Sequence, residues 1–230
     1  MKILVCVLNK NDGKNLNSIK FKLEEISNLY KVIMIDGDST DISHQVAKEI
    51  GIKVYNFKNL SRGESISKCI EMFSNTYEYI IFTSSDGEEN IEDIKKFEEY
   101  FNAGADLVIA SRIMPGGYFK SDTEIKWIHR KIYLKFITFL INILFKGNIH
   151  DCWNGFRGFK LATFKNEKLK IKEKFYLVEA ETTINFLKQG YKIVEFPTIE
   201  LPRKFGKSSN SIIQSGIGHL VLIFKKYFFT

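Results

Sequence analysis

Acidic turns and one basic loop hold the chemistry available to this sequence. Ile35-Asp36-Gly37-Asp38-Ser39-Thr40-Asp41 gathers carboxylates and hydroxyls on one short segment. Ser39 or Thr40 suits the cap of a following helix, with Asp36 at the mouth of a cleft. Ser84-Ser85-Asp86-Gly87-Glu88-Glu89-Asn90 clusters carboxylates on a turn, and hard oxygen donors of that kind suit a divalent cation. Asp151-Cys152-Trp153-Asn154-Gly155-Phe156-Arg157-Gly158-Phe159 is aromatic and glycine-rich. Glu195-Phe196-Pro197 precedes the basic loop Arg203-Lys204-Phe205-Gly206-Lys207-Ser208-Ser209. Guanidinium, ammonium and backbone N–H groups in such a loop can grip phosphate. Taken singly, each acidic or basic segment reads equally well as a solvated turn or loop.

These groups can act together only if regular elements bring them to one place. Ile3–Leu8, Val32–Asp36, Lys53–Phe57, Tyr79–Thr83 and Asp106–Ala110 are short β-branched or aromatic runs, the pattern of buried parallel strands. Helical patterns over Ser18–Leu29, Thr40–Ile50, Gly63–Phe73 and Ile91–Phe101 fill the gaps. This alternation predicts an α/β fold, a mostly parallel sheet with helices on both faces. Ligands of such sheets bind at the carboxyl ends of the strands, which is where the first two acidic turns fall.

The second half of the chain reads differently. From Ile128 to Lys146 the polar residues Lys131, Lys135, Thr138, Asn142 and Lys146 form one narrow helical stripe, and His129 and Arg130 add charge at the start. Ile213, Ile217, Leu220, Val221, Phe224, Tyr227 and Phe228 repeat the helical rhythm beside Lys225 and Lys226. Either these are core-packing helices or they lie in the headgroup layer of a membrane; the broad apolar faces and flanking cations favour the interfacial reading.

Composition bounds the rest. The chain has 230 residues, 34 Lys+Arg and 27 Asp+Glu, a net charge of +7. At roughly 150 residues per domain this is one domain with an appendage. Residues 1–210 form the expected catalytic domain, with an amphipathic insert at about 124–147, and 211–230 a terminal amphipathic helix. Hydrophobic residues at 44% exclude wholesale disorder. Cys6, Cys69 and Cys152 are too few and scattered for a disulfide framework or a zinc cluster, consistent with a reducing, cytoplasmic setting. The apolar run of the amino terminus is shorter than a secretion signal needs, and Ile132–Phe145 is too short to span a bilayer. No zinc spacing or aromatic-interleaved basic run supports nucleic acid as the partner of the positive charge.

In their order along the chain, the four motifs resemble family-two glycosyltransferases of GT-A fold, in the polyprenyl-phosphate (dolichyl-phosphate) hexose or mannose synthase branch. The likeness runs from about Ile3 to Ser209. The family's opening Pro-x-Tyr/Leu-Asn-Glu keeps Leu8 and Asn9, and Lys10 replaces Glu. Its Val-Asp-Asp-Gly-Ser-Thr-Asp appears as Ile35 to Asp41, with Gly37 and Asp38 exchanged. Arg62-Gly63 stands for its Lys-Gly, and Ala110-Ser111-Arg112 for its Gly-Ser-Arg. Asp151 to Arg157, Glu195-Phe196-Pro197 and Arg203 to Ser208 match its last motifs, whose residue types and spacing are the more specific. The metal motif Asp-x-Asp-x-Gln reads Ser84-Ser85-Asp86-Gly87-Glu88, so the first Asp is lost and Glu88 restores one carboxylate. Leu134 stands where the branch often has Ser.

The resemblance implies a GT-A three-layer sandwich that transfers a hexose, with inversion, from a nucleotide diphosphate sugar (GDP- or UDP-linked) to a membrane-embedded polyprenyl phosphate. Asp86 and Glu88 would hold Mg²⁺ or Mn²⁺ against the leaving diphosphate, and with Arg112 and Arg203 form the catalytic set. Leu8, Asn9, Asp36, Asp38, Arg62 and Asp86 would bind the donor, with Asp36 on the nucleobase. Ser111, Arg112, Arg130, Arg203 and Ser208 would hold the acceptor phosphate, and Asp151 would orient one of the arginines. A phosphate acceptor is already ionised and needs no strong base; a hydroxyl acceptor would, and Glu179 and Glu181 are the candidates. The expected location is the cytoplasm, peripheral on the cytoplasmic face of a membrane. The alternatives are a glycosyltransferase acting on a soluble or glycan hydroxyl, and a non-catalytic membrane-associated protein that binds nucleotide sugar.

Overall fold

The structure, a computed structural model, describes residues 1–119, 125–206 and 212–229, and of residues 125–130 and 212–216 the backbone alone. The apolar runs form the expected strands. They are β1 (Ile3–Asn9), β2 (Lys31–Asp36), β3 (Lys53–Asn56), β4 (Tyr79–Ser84) and β5 (Leu107–Ser111). The short β6 (Tyr118–Phe119) follows, then β7 (Arg157–Lys160), β8 (Ile193–Pro197) and the short β9 (Ile199–Glu200). The main sheet has the order β3-β2-β1-β4-β7-β5-β8, and β6 pairs with β9 separately. β7 is antiparallel to both β4 and β5, and the other pairs of the main sheet are parallel. Reversal of β7 delivers its beginning, Arg157 opposite Phe82, to the edge where the parallel strands end.

Alternation along the strands divides the core in two. Leu4, Cys6, Ile33, Ile35, Ile80 and Phe82 face one layer, Ile3, Val5, Val7, Val32, Met34 and Ile81 the other. The second layer contains α1 (Gly13–Ser18), α2 (Lys20–Ser27), α3 (Ser43–Ile50) and α5 (Ile94–Asn102). The first contains α4 (Arg62–Phe73), α6 (Ile125–Phe145), α7 (Val178–Lys188) and α8 (Ile212–Phe228). This is the three-layer α/β arrangement expected from the alternating periods. The helix expected over Ser18–Leu29 forms as α2, Lys20–Ser27, and a further short helix, α1, precedes it across Ile19. α4 starts with a capping box in which Ser61 and Glu64 satisfy each other's backbone N–H groups. This fixes Arg62 and Gly63 against the 173–174 backbone: Gly63 N–H donates to the Lys174 carbonyl at 2.8 Å, and a Cβ on Gly63 would collide with the carbonyl oxygen of Glu173.

α6 is apolar on two sides: Leu134, Ile137 and Ile141 are buried, and a second apolar stripe faces outward. From its polar stripe, Thr138 faces inward to the Cys152 thiol at 3.2 Å, and Asn142 exchanges two hydrogen bonds with the Ile149 backbone at 2.7 and 2.9 Å. Ile132, Phe136, Phe139 and Ile143 are exposed. α8 packs beside it through Leu222 and Ile223 in the core, and leaves Ile217, Val221, Phe224 and Phe228 exposed. Both outer stripes step by four, three and four residues, the spacing of one helix face. Among the described residues no helix is long and apolar enough to cross a membrane. Lys226 corrects one sequence reading: it is not an outward cation, but is buried and paired with Glu181 at 2.8 Å and with the Asn185 side-chain oxygen at 2.9 Å.

Candidate active site

The ends of β1, β2, β4 and β5 and the start of β7 meet at one sheet edge, and the motifs converge there. Leu8, half-buried at the end of β1, packs against the first core layer. Asn9 and Asp36 close β1 and β2 side by side. Asp36 is fully buried. One of its oxygens accepts from Asn9 Nδ2 at 2.7 Å and Ser39 Oγ at 2.6 Å, the other from Ser39 N–H at 2.8 Å, and His44 Nε2 lies 3.0 Å from that second oxygen. Burial alone would raise this carboxyl, but the hydrogen bonds from Ser39, His44 and Asn9 together hold it below the ordinary 3.8. The residue expected to contact the nucleobase thus has its carboxylate engaged in building the turn. Asp38 faces outward in its place. It has a left-handed φ of 69°, pairs with Lys58 at 3.2 Å, and lines a cavity of about 390 Å³. Lys10, Asn59, Leu60 and Phe175 share that wall, and the Lys10 stem crosses Gly37 so closely that a Cβ there would lie 3.3 Å from it. The departures at 10, 37 and 38 thus meet at one place.

The turn after β4 carries Asp86, Glu88 and Glu89. Arg203 reaches back from the 201–206 strap and sets its guanidinium between them, 2.9 Å from Asp86 Oδ2 and 3.3 Å from Glu88 Oε1. A third carboxylate, Asp12, lies 3.5 Å away. Backbone bonds hold the strap down: Leu201 N–H donates to the Glu88 carbonyl, and Phe205 exchanges two hydrogen bonds with the Asn15 side chain at 3.0 and 2.9 Å. Asp86 and Glu88 offer the hard oxygens that Mg²⁺ or Mn²⁺ takes. Among the described residues no three His, Cys, Asp or Glu side chains already converge on one ion position. The donor chemistry fits a divalent cation at this turn, with Arg203 as the residue standing in its space.

Glu89 and Asp12 are site residues that motif reasoning missed. Glu89 accepts from Thr83 Oγ1 and from Ser84 N–H at 2.7 Å. Burial, and then the Asp86 charge, push its carboxyl up to about 8. A third carboxylate in the acidic run was the available signal for Glu89; for Asp12 there was none. Arg62 lies across the cleft, its Nε and Nη2 3.0 and 2.9 Å from Glu179. Burial works against its charge, but Glu179, then Glu89 and Asp86, hold it protonated.

Arg112 does not stand free to meet an acceptor phosphate. Nε and Nη2 bind Asp151 at 2.8 and 3.1 Å, and Nη1 binds Glu200 at 2.6 Å. Asp151 itself accepts from the Trp153 and Asn154 N–H groups, and its own N–H donates to Glu195. Asp151 therefore does orient an arginine, and the result is a buried tie joining β5, the 151–154 loop, β8 and β9. Ser111 is buried and accepts from Met114 N–H at 3.2 Å. Glu181 is removed from the cleft: it accepts from the Lys172 and Glu173 N–H groups and from Lys226. Glu179 stays in the cleft beside Gly155, where a Cβ would strike Arg62. Arg130 and Ser208 lie outside the residues whose side chains are described.

Known proteins resemble this chain in sequence and in fold. Residues 3–166 match the model of the family described as Glycosyl transferase family 2. A polyprenol monophosphomannose synthase of Mycolicibacterium smegmatis is 23% identical over 222 residues, 90% of this chain and 80% of that protein. Glycosyltransferase AglJ of Haloferax volcanii is 24% identical over 182 residues, 78% of this chain and 56% of that protein. Among solved structures, glucosyl-3-phosphoglycerate synthase from Mycobacterium tuberculosis with Mn²⁺, uridine diphosphate and glucosyl-3-phosphoglycerate superposes with a TM-score of 0.69 at 15% identity, over 98% of this chain and 78% of that one. The same enzyme with Mg²⁺ and uridine diphosphate gives 0.71 at 15% identity, over 96% and 79%. At such identities the likeness establishes the fold alone, which is GT-A.

Proposed function

The chain belongs to glycosyl transferase family 2, and from that premise we propose that it moves a hexose, with inversion, from a nucleotide diphosphate sugar to a polyprenyl phosphate at a membrane surface. One observation carries the reading: a cation-bridged carboxylate turn sits at the ligand-binding edge of a fold whose α6 and α8 present two exposed apolar stripes. The polyprenol monophosphomannose synthase relative supports the same acceptor class.

The nucleoside occupies the cavity beside Lys10 and Asp38, and the diphosphate runs toward Asp86, Glu88 and Arg62. Asp86 and Glu88 would hold a divalent cation, which would supply positive charge to the leaving diphosphate. Arg62 and Arg203 flank this path and stabilise the same developing charge through directed N–H groups. The acceptor phosphate is its own nucleophile, so its placement in line with the breaking bond is the main demand on the protein. The apolar stripes rest in the outer layer of a bilayer on its cytoplasmic face and bring the cleft to the lipid phosphate.

Incubation with radiolabelled nucleotide sugar and either short-chain polyprenyl phosphate or free sugars tests this. Label entering organic solvent only with the lipid phosphate is the expected result, and water-soluble product alone sinks it. A hydroxyl acceptor is the second reading, with Glu179, paired with Arg62 and beside Gly155, as the candidate base.

A further inference from the structure

A second cationic site lies away from the cleft. Glu179 stands at the start of α7 and Lys188 at its end, about 13 Å along the axis. At that far end is a cavity of about 260 Å³ walled by Lys168, Lys170, Lys172, Lys188 and Lys226. Asn185 also lines it and is only 5% exposed. Its side-chain oxygen accepts from Lys226 Nζ at 2.9 Å, which fixes the orientation of the amide. The opposite end, Nδ2, is a buried donor with no hydrogen-bond partner. Leaving such a donor unmet is unfavourable, and a ligand oxygen would satisfy it. Of the nearby carboxylates, Glu167 pairs with Lys170 at 2.5 Å and Glu181 with Lys226 at 2.8 Å. Five ammonium groups against these two carboxylates leave positive charge in excess on the wall.

The cavity borders the apolar face. Lys188 Nζ lies over the Phe145 ring at 5.9 Å, and Phe145 meets Tyr227 edge-on at 6.1 Å. Tyr227 is exposed beside Phe228, which ends the exposed stripe of α8. Through Lys188, Phe145 and Tyr227, the end of that stripe adjoins the wall that holds the lysines and the vacant amide donor. We propose that this cavity binds the phosphate of an anionic phospholipid headgroup, with Asn185 Nδ2 and the lysine ammonium groups as donors. The choice of a lipid source rests on the membrane-docking reading above; the cationic chemistry does not.

Vesicle co-sedimentation tests it, with phosphatidylcholine alone and with equal parts phosphatidylcholine and phosphatidylglycerol. The full chain is compared with K168Q/K170Q/K172Q, with Asn185→Ala, and with K31Q/K48Q/K53Q, which removes the same charge elsewhere. Stronger binding to the anionic vesicles is expected, reduced about tenfold in K168Q/K170Q/K172Q. It is reduced in Asn185→Ala and retained in K31Q/K48Q/K53Q. Equal loss in the two triple variants overturns the site in favour of general electrostatics. Equal binding to both vesicle types overturns it while membrane docking stands, and binding to neither also removes the docking reading. A rise in melting temperature with inorganic phosphate, matched for ionic strength against chloride and abolished by K168Q/K170Q/K172Q, overturns the lipid source if vesicle binding is unaffected by that variant. Glycosyl transfer to short-chain polyprenyl phosphate in detergent is expected to stay within about twofold in all variants, because none touches the cleft.

Discussion

Arg203 Nη2 lies 2.9 Å from Asp86 Oδ2, so a cation that the chain itself provides already sits on the carboxylate turn. The same guanidinium reaches Glu88 and Asp12. A divalent ion held by these carboxylates would compete with Arg203 for one set of oxygens, and the strap that carries Arg203 would have to yield.

Arg203→Met removes the competitor. Mn²⁺ affinity in the absence of nucleotide is expected to tighten about tenfold, worth about 1.4 kcal/mol. Transfer rate is expected to fall about a hundredfold through loss of charge stabilisation. Titration of free Mn²⁺ by electron paramagnetic resonance reads the first effect, and unchanged affinity would remove the competition.

Asp86→Ala takes away the carboxylate that faces Arg203 most closely. Metal-dependent transfer is expected to drop by about two orders of magnitude or more. A variant with near wild-type turnover would mean that another group holds the cation.

Gly63→Ala would place a methyl group against the Glu173 carbonyl and push apart the Gly63–Lys174 hydrogen bond. The expected loss is about 2–3 kcal/mol of unfolding free energy. Urea denaturation measures it, and a loss below about 0.5 kcal/mol would show that the 173–174 segment moves away at little cost.

Asp36→Asn tests the β2 turn through pH. The folded carboxyl lies below its ordinary 3.8, so its stabilisation is complete above that value. It is lost as pH falls through the folded pKa. The variant should be about 2 kcal/mol less stable near neutrality. The two proteins should converge in acid, as read by denaturant midpoints across pH, and a constant offset down to the acid limit would rule out the ionised-turn account.

Arg112→Met leaves Asp151 and Glu200 buried without their cation. A cost of about 3–5 kcal/mol is expected, and the triple change with Asp151→Leu and Glu200→Leu should recover part of it. If the single variant keeps its stability and loses only acceptor affinity, Arg112 is a phosphate ligand after all.

The central strands were legible to within about one residue because buried parallel strands must be apolar on both faces. The meeting of the acidic turns followed from the same alternation, since parallel strands share one carboxyl edge. What escaped was pairing across the chain. Asp36 reads as an open carboxylate until Asn9 and His44 are placed on either side of it. Arg112 reads as a phosphate ligand until Asp151 and Glu200 close around it. Lys226 reads as a surface cation until α7 brings Glu181 and Asn185 beneath it. Residue type reports what a group can do, and only the packed neighbours decide whether it is already doing it.

The inward turn of Thr138 and Asn142 has a consequence for handling the protein. Rotation of α6 to hide Phe136 and Phe139 would strip the Ile149 backbone of its two side-chain partners. The outer apolar side is therefore held outward by these polar bonds together with the buried Leu134, Ile137 and Ile141 on the inner side. Concentrated in plain buffer, molecules will find one another through these stripes. A mild amphiphile should disperse them without loosening the fold, because the helix has nowhere else to turn.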